Sequence, residues 1–152
     1  MKVWQVLKQK GPEVEAIDAS RSVAEAISRF VGSKIRSLLV TDDGRDGRDG
    51  RDGRLVGVLT IRDVLGHLDQ TGSTALEDRV RAAMSGDIIS VSSDTELEEV
   101  ERLFKEHRIN HLPVLDDGEL KGLLTPADVL TSHLKDVQGT NETLLDYISG
   151  GY

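Results

Sequence analysis

One short stretch of sequence occurs twice in the chain, as VGVLTIRD at residues 56–63 and as KGLLTPAD at residues 121–128. Each copy is an apolar run containing one glycine, followed by Thr-x-x-Asp. The apolar run is typical of a buried strand, and Thr-x-x-Asp is typical of the first turn of a helix. The stretch therefore predicts, twice, a strand that leads directly into a helix.

The similarity extends upstream, because residues 17–44 match residues 91–118 at their apolar positions and at an Asp-Gly turn. The match is interrupted only by RDGRDGRDG at residues 45–53, in the first copy. This insert has no apolar side chain to bury, so we expect a mobile loop at a hairpin tip. A neutral expansion is favoured there over a partner-binding loop. The chain thus contains two units of β-α-β-β-α order, and two such small units should share a core.

The first helix of each unit, at residues 22–32 and 95–107, begins with a capping-box pattern that starts at Ser22 and Thr95. Short extended pieces at residues 16–17 and 88–91 precede these helices. The predicted fold class is α+β. The expected organisation is a helical segment at 1–13, a first repeat at 14–72, a linker helix at 73–87, a second repeat at 88–134 and a helical tail at 135–152. The apolar faces outside the repeats could pack on these repeats or on a second chain.

Composition limits the function. There are 19 Lys and Arg against 27 Asp and Glu, a formal net charge of −8, which disfavours binding along a nucleic-acid backbone. The absence of cysteine excludes disulfides and thiolate sites. No apolar stretch approaches the roughly 20 residues of a membrane span, and residues 1–20 lack the apolar region of a signal peptide. We therefore expect a soluble cytoplasmic protein without a membrane partner.

The tandem unit resembles the cystathionine-β-synthase (CBS) domain, and two in tandem resemble a Bateman module. The resemblance rests on the two repeated stretches and on INHLPV at residues 109–114. It implies two units packed pseudo-symmetrically, sheet against sheet, around two clefts. It also implies a stand-alone bacterial or archaeal protein of this type, in which two modules usually pair into a homodimer.

The function that the resemblance implies is regulatory binding of an adenine nucleotide, AMP, ADP, ATP or NAD(H), with AMP as the first expectation. No cofactor is required, and the regulated protein is unknown. The alternative is an interaction module with empty clefts that acts through its surface, its tail helix or its loop. An enzyme ranks lowest, because the sequence has neither a nucleophile elbow nor a glycine-rich phosphate loop.

In the family that the chain resembles, the motif aspartate accepts hydrogen bonds from the ribose hydroxyls. Asp63 and Asp128 take that place here, and Thr60 and Thr125 are expected to reach the ribose or the α-phosphate. A carboxylate suits a vicinal diol because it has two acceptor oxygens. The local alternative is helix capping, which the same residues can perform at the same time.

The expected phosphate ligands are Arg62, Arg36 and His111. The second repeat has Pro126 and Ala127 where the first has Ile61 and Arg62, so equal occupancy of the two clefts is not expected. Asp128 could still hold a ribose, with phosphate contacts supplied across the pseudo-twofold axis by Arg36 or Arg62.

The expected apolar slot for adenine lies on the first strands, at Val14 and Ala16 in one repeat and at Ile88 and Ser90 in the other. His107 and His111 have a spacing that binds metals on a helix. Because residues 110–114 have the pattern of a strand, we predict no metal site.

Overall fold

The computed structural model describes residues 1–11, 14–42 and 54–135. The RDG insert at 45–53 and the tail helix expected after residue 135 lie outside the described residues. The elements, in chain order, are α1 (Val3–Lys10), β1 (Ala16–Asp18), α2 (Val23–Ser33), β2 (Ser37–Asp42), β3 (Arg54–Thr60), α3 (Ile61–Thr71), a 3₁₀ helix (Ser73–Glu77), α4 (Val80–Ala83), α5 (Leu97–His107), β4 (Leu112–Asp116), β5 (Glu119–Leu124) and α6, which is helical over residues 126–135.

Each repeat is built on an antiparallel hairpin, β2 with β3 and β4 with β5. In the first repeat β1 adds a parallel strand beside β2, so that its sheet has the order β1-β2-β3. An apolar cluster joins the two sheets, with Ala16, Leu39 and Val58 from the first meeting Leu115 and Leu123 from the second. The predicted α+β fold, with two repeats packed on each other, is confirmed.

The extended piece predicted at residues 88–91 is not a strand. It is reduced to one parallel bridge between Val91 and Val114, whereas the equivalent backbone in the first repeat forms β1. There, the amide of Leu39 donates to the carbonyl of Glu15 at 3.1 Å. The residue matching Leu39 is Pro113, which has no N–H to donate, so this ladder bond cannot form.

The N-terminal helix and the linker both pack on the module. Although α1 precedes the first repeat in the chain, Val3 and Val6 are buried in the core of the second. The linker inserts Val80 into the core of the first. This exchange answers the question that the sequence left open for these two segments. The linker is not the single helix predicted, because Asp78 is extended between its two short helices and accepts the amide of Val23 at 2.9 Å.

The glycine of each repeated stretch lies against one of these two segments, Gly122 against α1 and Gly57 against the linker. A Cβ on Gly122 would lie 2.6 Å from Cδ2 of Leu7 on α1. A Cβ on Gly57 would lie 2.6 Å from Sδ of Met84 and 2.7 Å from the carbonyl oxygen of Ser85. The two glycines therefore allow the same close approach in both repeats.

The two predicted capping boxes have different outcomes. Ser22 caps α2, with its hydroxyl accepting the amide of Glu25 at 3.1 Å, but the Glu25 carboxylate pairs with Arg21 at 3.4 Å, and the reciprocal bond of a capping box is not seen in the described part of the chain. The box starting at Thr95 is wrong, because α5 begins at Leu97 and its N-cap is Glu96. The start of α1 packs beside the N-terminus of α5, where the carbonyl of Thr95 accepts the amide of Val3 at 2.9 Å. Within the described ranges, no helix is both long and apolar enough to cross a membrane.

Candidate functional site

In the first repeat, the Thr-x-x-Asp motif forms the junction between β3 and α3. The amide of Thr60 donates to Oδ2 of Asp63 at 2.9 Å, and the amide of Asp63 donates to the hydroxyl oxygen of Thr60 at 3.1 Å. This reciprocal pair is a complete capping box, so the local interpretation is confirmed. No hydrogen bond from the described residues reaches Oδ1 of Asp63, which leaves one carboxylate oxygen able to accept from a ligand.

The second repeat has the same junction at the start of α6. Asp128 accepts the amide of Thr125 at 2.8 Å and its hydroxyl at 3.0 Å, both through Oδ2. The same oxygen also lies 2.8 Å from Nζ of Lys10. The Asp128 side chain is 18% exposed, and in the described part of the chain its Oδ1 receives no hydrogen bond. Capping and ligand binding are thus divided between the two oxygens of one carboxylate.

A cleft of about 620 Å³ opens beside this second junction. It lies between the repeats, and both repeats contribute to its lining. The lining residues are Lys10, Val14, Glu15, Lys34, Ile35, Arg36, Ser37, Asn110, Leu123, Thr125, Pro126 and Ala127. A concave site with apolar walls and a few polar groups is the usual form of a small-molecule site.

Three of the residues predicted to bind ligand line this cleft together. Val14, before β1, and Arg36, before β2, come from the first repeat, while Thr125 comes from the second. Arg36 and Thr125 thus line one cleft from different repeats, and the predicted contact of Arg36 with a phosphate stays a prediction. Ala16 is buried in the cluster between the sheets, so it is core and not part of the cleft lining.

Two further cations of the cleft, Lys10 and Lys34, were not anticipated. Lys34 follows α2 in the left-handed region, at φ 54°, where the helix ends. The position of Lys10 depends on α1 packing on the repeat more distant in sequence. The acidic lining residue, Glu15, is held by Arg29 at 2.7 Å. The cationic side chains of Lys34 and Arg36 therefore dominate the part of the lining that the first repeat contributes.

Of the other predicted residues, His111 lies near the Asp63 carboxylate of the first junction. His111 is close enough to Asp63 for the carboxylate to raise its pKa, but burial has the larger effect and the pKa of His111 is lowered overall. Its Nδ1 lies 3.1 Å from Oδ1 of Asn110. Arg62 is exposed on the first turn of α3, and Ser90 is exposed before Val91.

Ile88 does not occupy the position that was expected for it. It lines a second, more open hollow of about 580 Å³ with Asp42, Gly86 and residues 54–56 at the start of β3. Thr60 and Asp63 lie at the other end of that strand and are not among the lining residues. Ile88 therefore lines a hollow that does not include Asp63, whereas Val14 lines the same cleft as Thr125.

His107 and His111 are separated by the end of α5, since the C-cap residue Arg108 is left-handed at φ 51°. The helical spacing that would let both rings bind one metal is thus lost. Among residues 1–11, 14–42 and 54–135, no three side chains of the metal-binding types are grouped to hold an ion.

Comparison with known proteins agrees with this architecture. A family model, described as the CBS domain, matches the chain twice, at residues 11–70 and 80–135. The chain belongs to the CBS domain family. The CBS domain-containing protein CBSX3, mitochondrial, of Arabidopsis thaliana is 24% identical over 99% of this chain and 73% of its own length.

Solved CBS structures superpose on most of the chain. CBSX2 in complex with AMP has a TM-score of 0.72 and 29% identity, covering 88% of this chain and 96% of that one. A CBS-domain containing protein from Agrobacterium tumefaciens has a TM-score of 0.74 at 24% identity over 87% of this chain and 92% of its own, which supports the fold alone. Inosine-5'-monophosphate dehydrogenase of Nitrosopumilus maritimus is 29% identical over 75% of this chain, but the chain spans only 21% of that enzyme.

Proposed function

We propose that this CBS pair is a regulatory module that binds an adenine nucleotide in the cleft beside Asp128 and does not catalyse a reaction. The observation that carries the proposal is the lining of that cleft. Apolar side chains and the cations Lys10, Lys34 and Arg36 line it together at the boundary between the repeats. Lys10 connects this lining to the neighbouring carboxylate of Asp128, whose Oδ1 receives no hydrogen bond from the described residues. The AMP complex of the CBSX2 structure supports the choice of ligand class.

The chemistry of each part suits one part of a nucleotide. Oδ1 of Asp128 can accept hydrogen bonds from the ribose hydroxyls while Oδ2 continues to cap α6. Arg36 and Lys34 can face the phosphate. Val14 and Leu123 offer the apolar surface that a purine requires. AMP is the first ligand to test, with ADP, ATP and NAD(H) as the other members of the class.

A second, weaker site is proposed at Asp63. Thr60 and Asp63 repeat the junction, and Arg62 and His111 are its expected phosphate ligands. The proposal is weaker here because Ile88 lines another hollow. We expect the Asp128 cleft to fill first, which is the reverse of what the missing arginine of the second repeat would suggest.

Thermal unfolding with and without AMP tests the proposed function. At about 100 times its dissociation constant, a ligand of the folded state adds about 2.7 kcal/mol of stability. We expect AMP to raise the melting temperature of the wild-type protein, and Asp128→Asn to reduce this shift strongly. Asp69→Asn is the matched control, because Asp69 is an exposed carboxylate on α3.

A melting temperature that does not respond to AMP, ADP, ATP or NADH would contradict the nucleotide-binding function. An equal shift in wild type and Asp128→Asn would show that AMP binds outside the proposed cleft.

The cytoplasmic location expected from the sequence stays a prediction.

We further propose that the module forms a homodimer through α3 and α6. Leu65 on α3 and Leu130 on α6 are each 60% exposed, and Leu134 is 57% exposed. Leu65 and Leu130 follow Asp63 and Asp128 by two residues, so the same apolar position is exposed in both repeats. A twofold interface is self-complementary, and a surface already repeated within one chain suits a second copy of that chain.

A further inference from the structure

A lysine from the N-terminal helix reaches the proposed ribose site. Lys10 is the last residue of α1, and its Nζ donates to Oδ2 of Asp128 at 2.8 Å and to the carbonyl oxygen of Leu123 at 2.6 Å. The helix is anchored on this repeat by Val3 and Val6, both buried. Lys10, which lines the cleft, therefore compensates the charge of the neighbouring Asp128 carboxylate.

This compensation matters for an anionic ligand. Lys34 and Arg36 line the same cleft, and Glu15 is held by Arg29. With Lys10 in place, the carboxylate of Asp128 is also neutralised, so the field inside the cleft is positive. Without Lys10, an uncompensated carboxylate would lie next to the cleft and repel an incoming phosphate, with an effect that grows with the number of phosphate charges.

The two halves of the molecule differ at this point. Leu7 and Met84 occupy matching positions, each against the glycine of a repeated stretch. From Leu7, α1 continues to Lys10, whereas α4 ends at Ala83 and the third residue after Met84 is the exposed Asp87. A cation is thus placed beside Asp128, whereas Asp87 lies between Gly86 and Ile88, which line the hollow at the end of β3 distant from Asp63.

We propose that Lys10 is a specificity-determining residue that makes the Asp128 cleft discriminate adenine nucleotides by phosphate charge. Adenosine, AMP and ATP are then bound with increasing preference, and Lys10 contributes more for each added charge. This inference rests on the proposed function and identifies phosphate charge as the property of the ligand that the cleft recognises.

Titration calorimetry at low ionic strength, with adenosine, AMP and ATP as probes, tests the inference on Lys10→Met. Methionine keeps much of the aliphatic length and removes the charge. We expect about tenfold weaker AMP binding, a larger loss for ATP and a change of less than about twofold for adenosine. Lys8→Met is the matched control, since Lys8 is an exposed lysine of the same helix. Lys10→Arg should restore most of the phosphate preference.

The outcomes distinguish failure of the inference from failure of the proposed function. If wild type binds none of the three probes, the proposed function fails, and the inference fails with it. If wild type binds AMP and Lys10→Met binds it equally well, only the inference fails. Equal losses for all three probes would also overturn it, because Lys10 would then only position Asp128.

The single tryptophan, Trp4 on α1, reports by its fluorescence whether each variant keeps the helix in place.

Discussion

Among single residues, two glycines make the exchange of helices between the repeats possible. Gly122 lies against the end of the Leu7 side chain, whereas Gly57 lies against both the Met84 side chain and the backbone oxygen of Ser85. A side-chain end can rotate away from an added methyl group, but a backbone carbonyl moves only with its segment. Substitution by alanine should therefore be tolerated better at Gly122 than at Gly57.

We expect Gly57→Ala to destabilise the fold by about 2–3 kcal/mol and Gly122→Ala by about 1 kcal/mol. Gly66→Ala is the control. Gly66 lies within α3, and a Cβ added there would meet no heavy atom within 4 Å beyond its own helix backbone and chain neighbours, so alanine should stabilise by about 0.5–1 kcal/mol. Urea unfolding midpoints give all three values. Equal effects at Gly57 and Gly66 would contradict the close approach of the linker.

His111 should make stability depend on pH. Burial lowers its pKa in the folded protein, against the opposing effect of Asp63. Between the lowered value and the ordinary value of about 6.5, the unfolded chain holds a proton that the folded chain does not. Stability therefore rises with pH through this window and falls as the solution is acidified through it; below the lowered pKa both states hold the proton and the contribution of His111 no longer changes.

Urea unfolding at a series of pH values between about 5 and 8 checks this expectation for His111→Gln. The variant should lose part of the decline in stability on acidification, while His107→Gln, at an exposed position on α5, serves as the control. A decline that is the same in wild type and His111→Gln would show that other groups cause it.

Among the helices and strands, the sequence was informative where a signal is local and misleading where packing exchanges neighbours. The two Thr-x-x-Asp junctions form the reciprocal caps that their sequence predicts, and Ser22 is the N-cap of its helix. Lys10 could not be assigned, because its helix precedes one repeat and packs on the other. No strand forms at residues 88–91 because Pro113 lacks the N–H that would donate to it. The proline is evident in the sequence, but its effect can be predicted only when the strand it pairs with is known.

The anchoring of α1 on the second repeat gives a prediction for this helix. Val6 is buried in that core with Val3 and Leu97, so Val6→Ala should cost about 2 kcal/mol by loss of burial and by the cavity it leaves. Trp4→Ala is the control on the same helix, because Trp4 is 46% exposed, and it should cost less than Val6→Ala. Circular dichroism during urea unfolding measures both. A greater loss in Trp4→Ala would contradict the observed face of α1.

In the molecule as a whole, a duplicated unit gives two similar junctions but two unequal surroundings. The sheets share one apolar cluster, so the cleft between the repeats can respond to any change in their relative position. A ligand shifts such an equilibrium only by its different affinity for the two states. We expect a module of this kind to transmit occupancy through the surfaces that α3 and α6 expose.

The proposed dimer gives the prediction for the whole module. Leu65→Glu combined with Leu130→Glu should convert a dimer into a monomer, as measured by size-exclusion chromatography with light scattering, because two charges would enter the apolar interface. Val31→Glu is the control, since Val31 is the exposed valine of α2. A wild-type protein that is monomeric at all concentrations tested would contradict the proposal, as would a double variant that remains dimeric.

The decisive experiment for the nucleotide site is a crystal structure of the protein grown with saturating AMP. We expect a nucleotide in the cleft beside Asp128, with a ribose hydroxyl within hydrogen-bond distance of Oδ1 and the phosphate facing Arg36. An empty cleft, or AMP bound only in the hollow lined by Ile88, would contradict the proposed function.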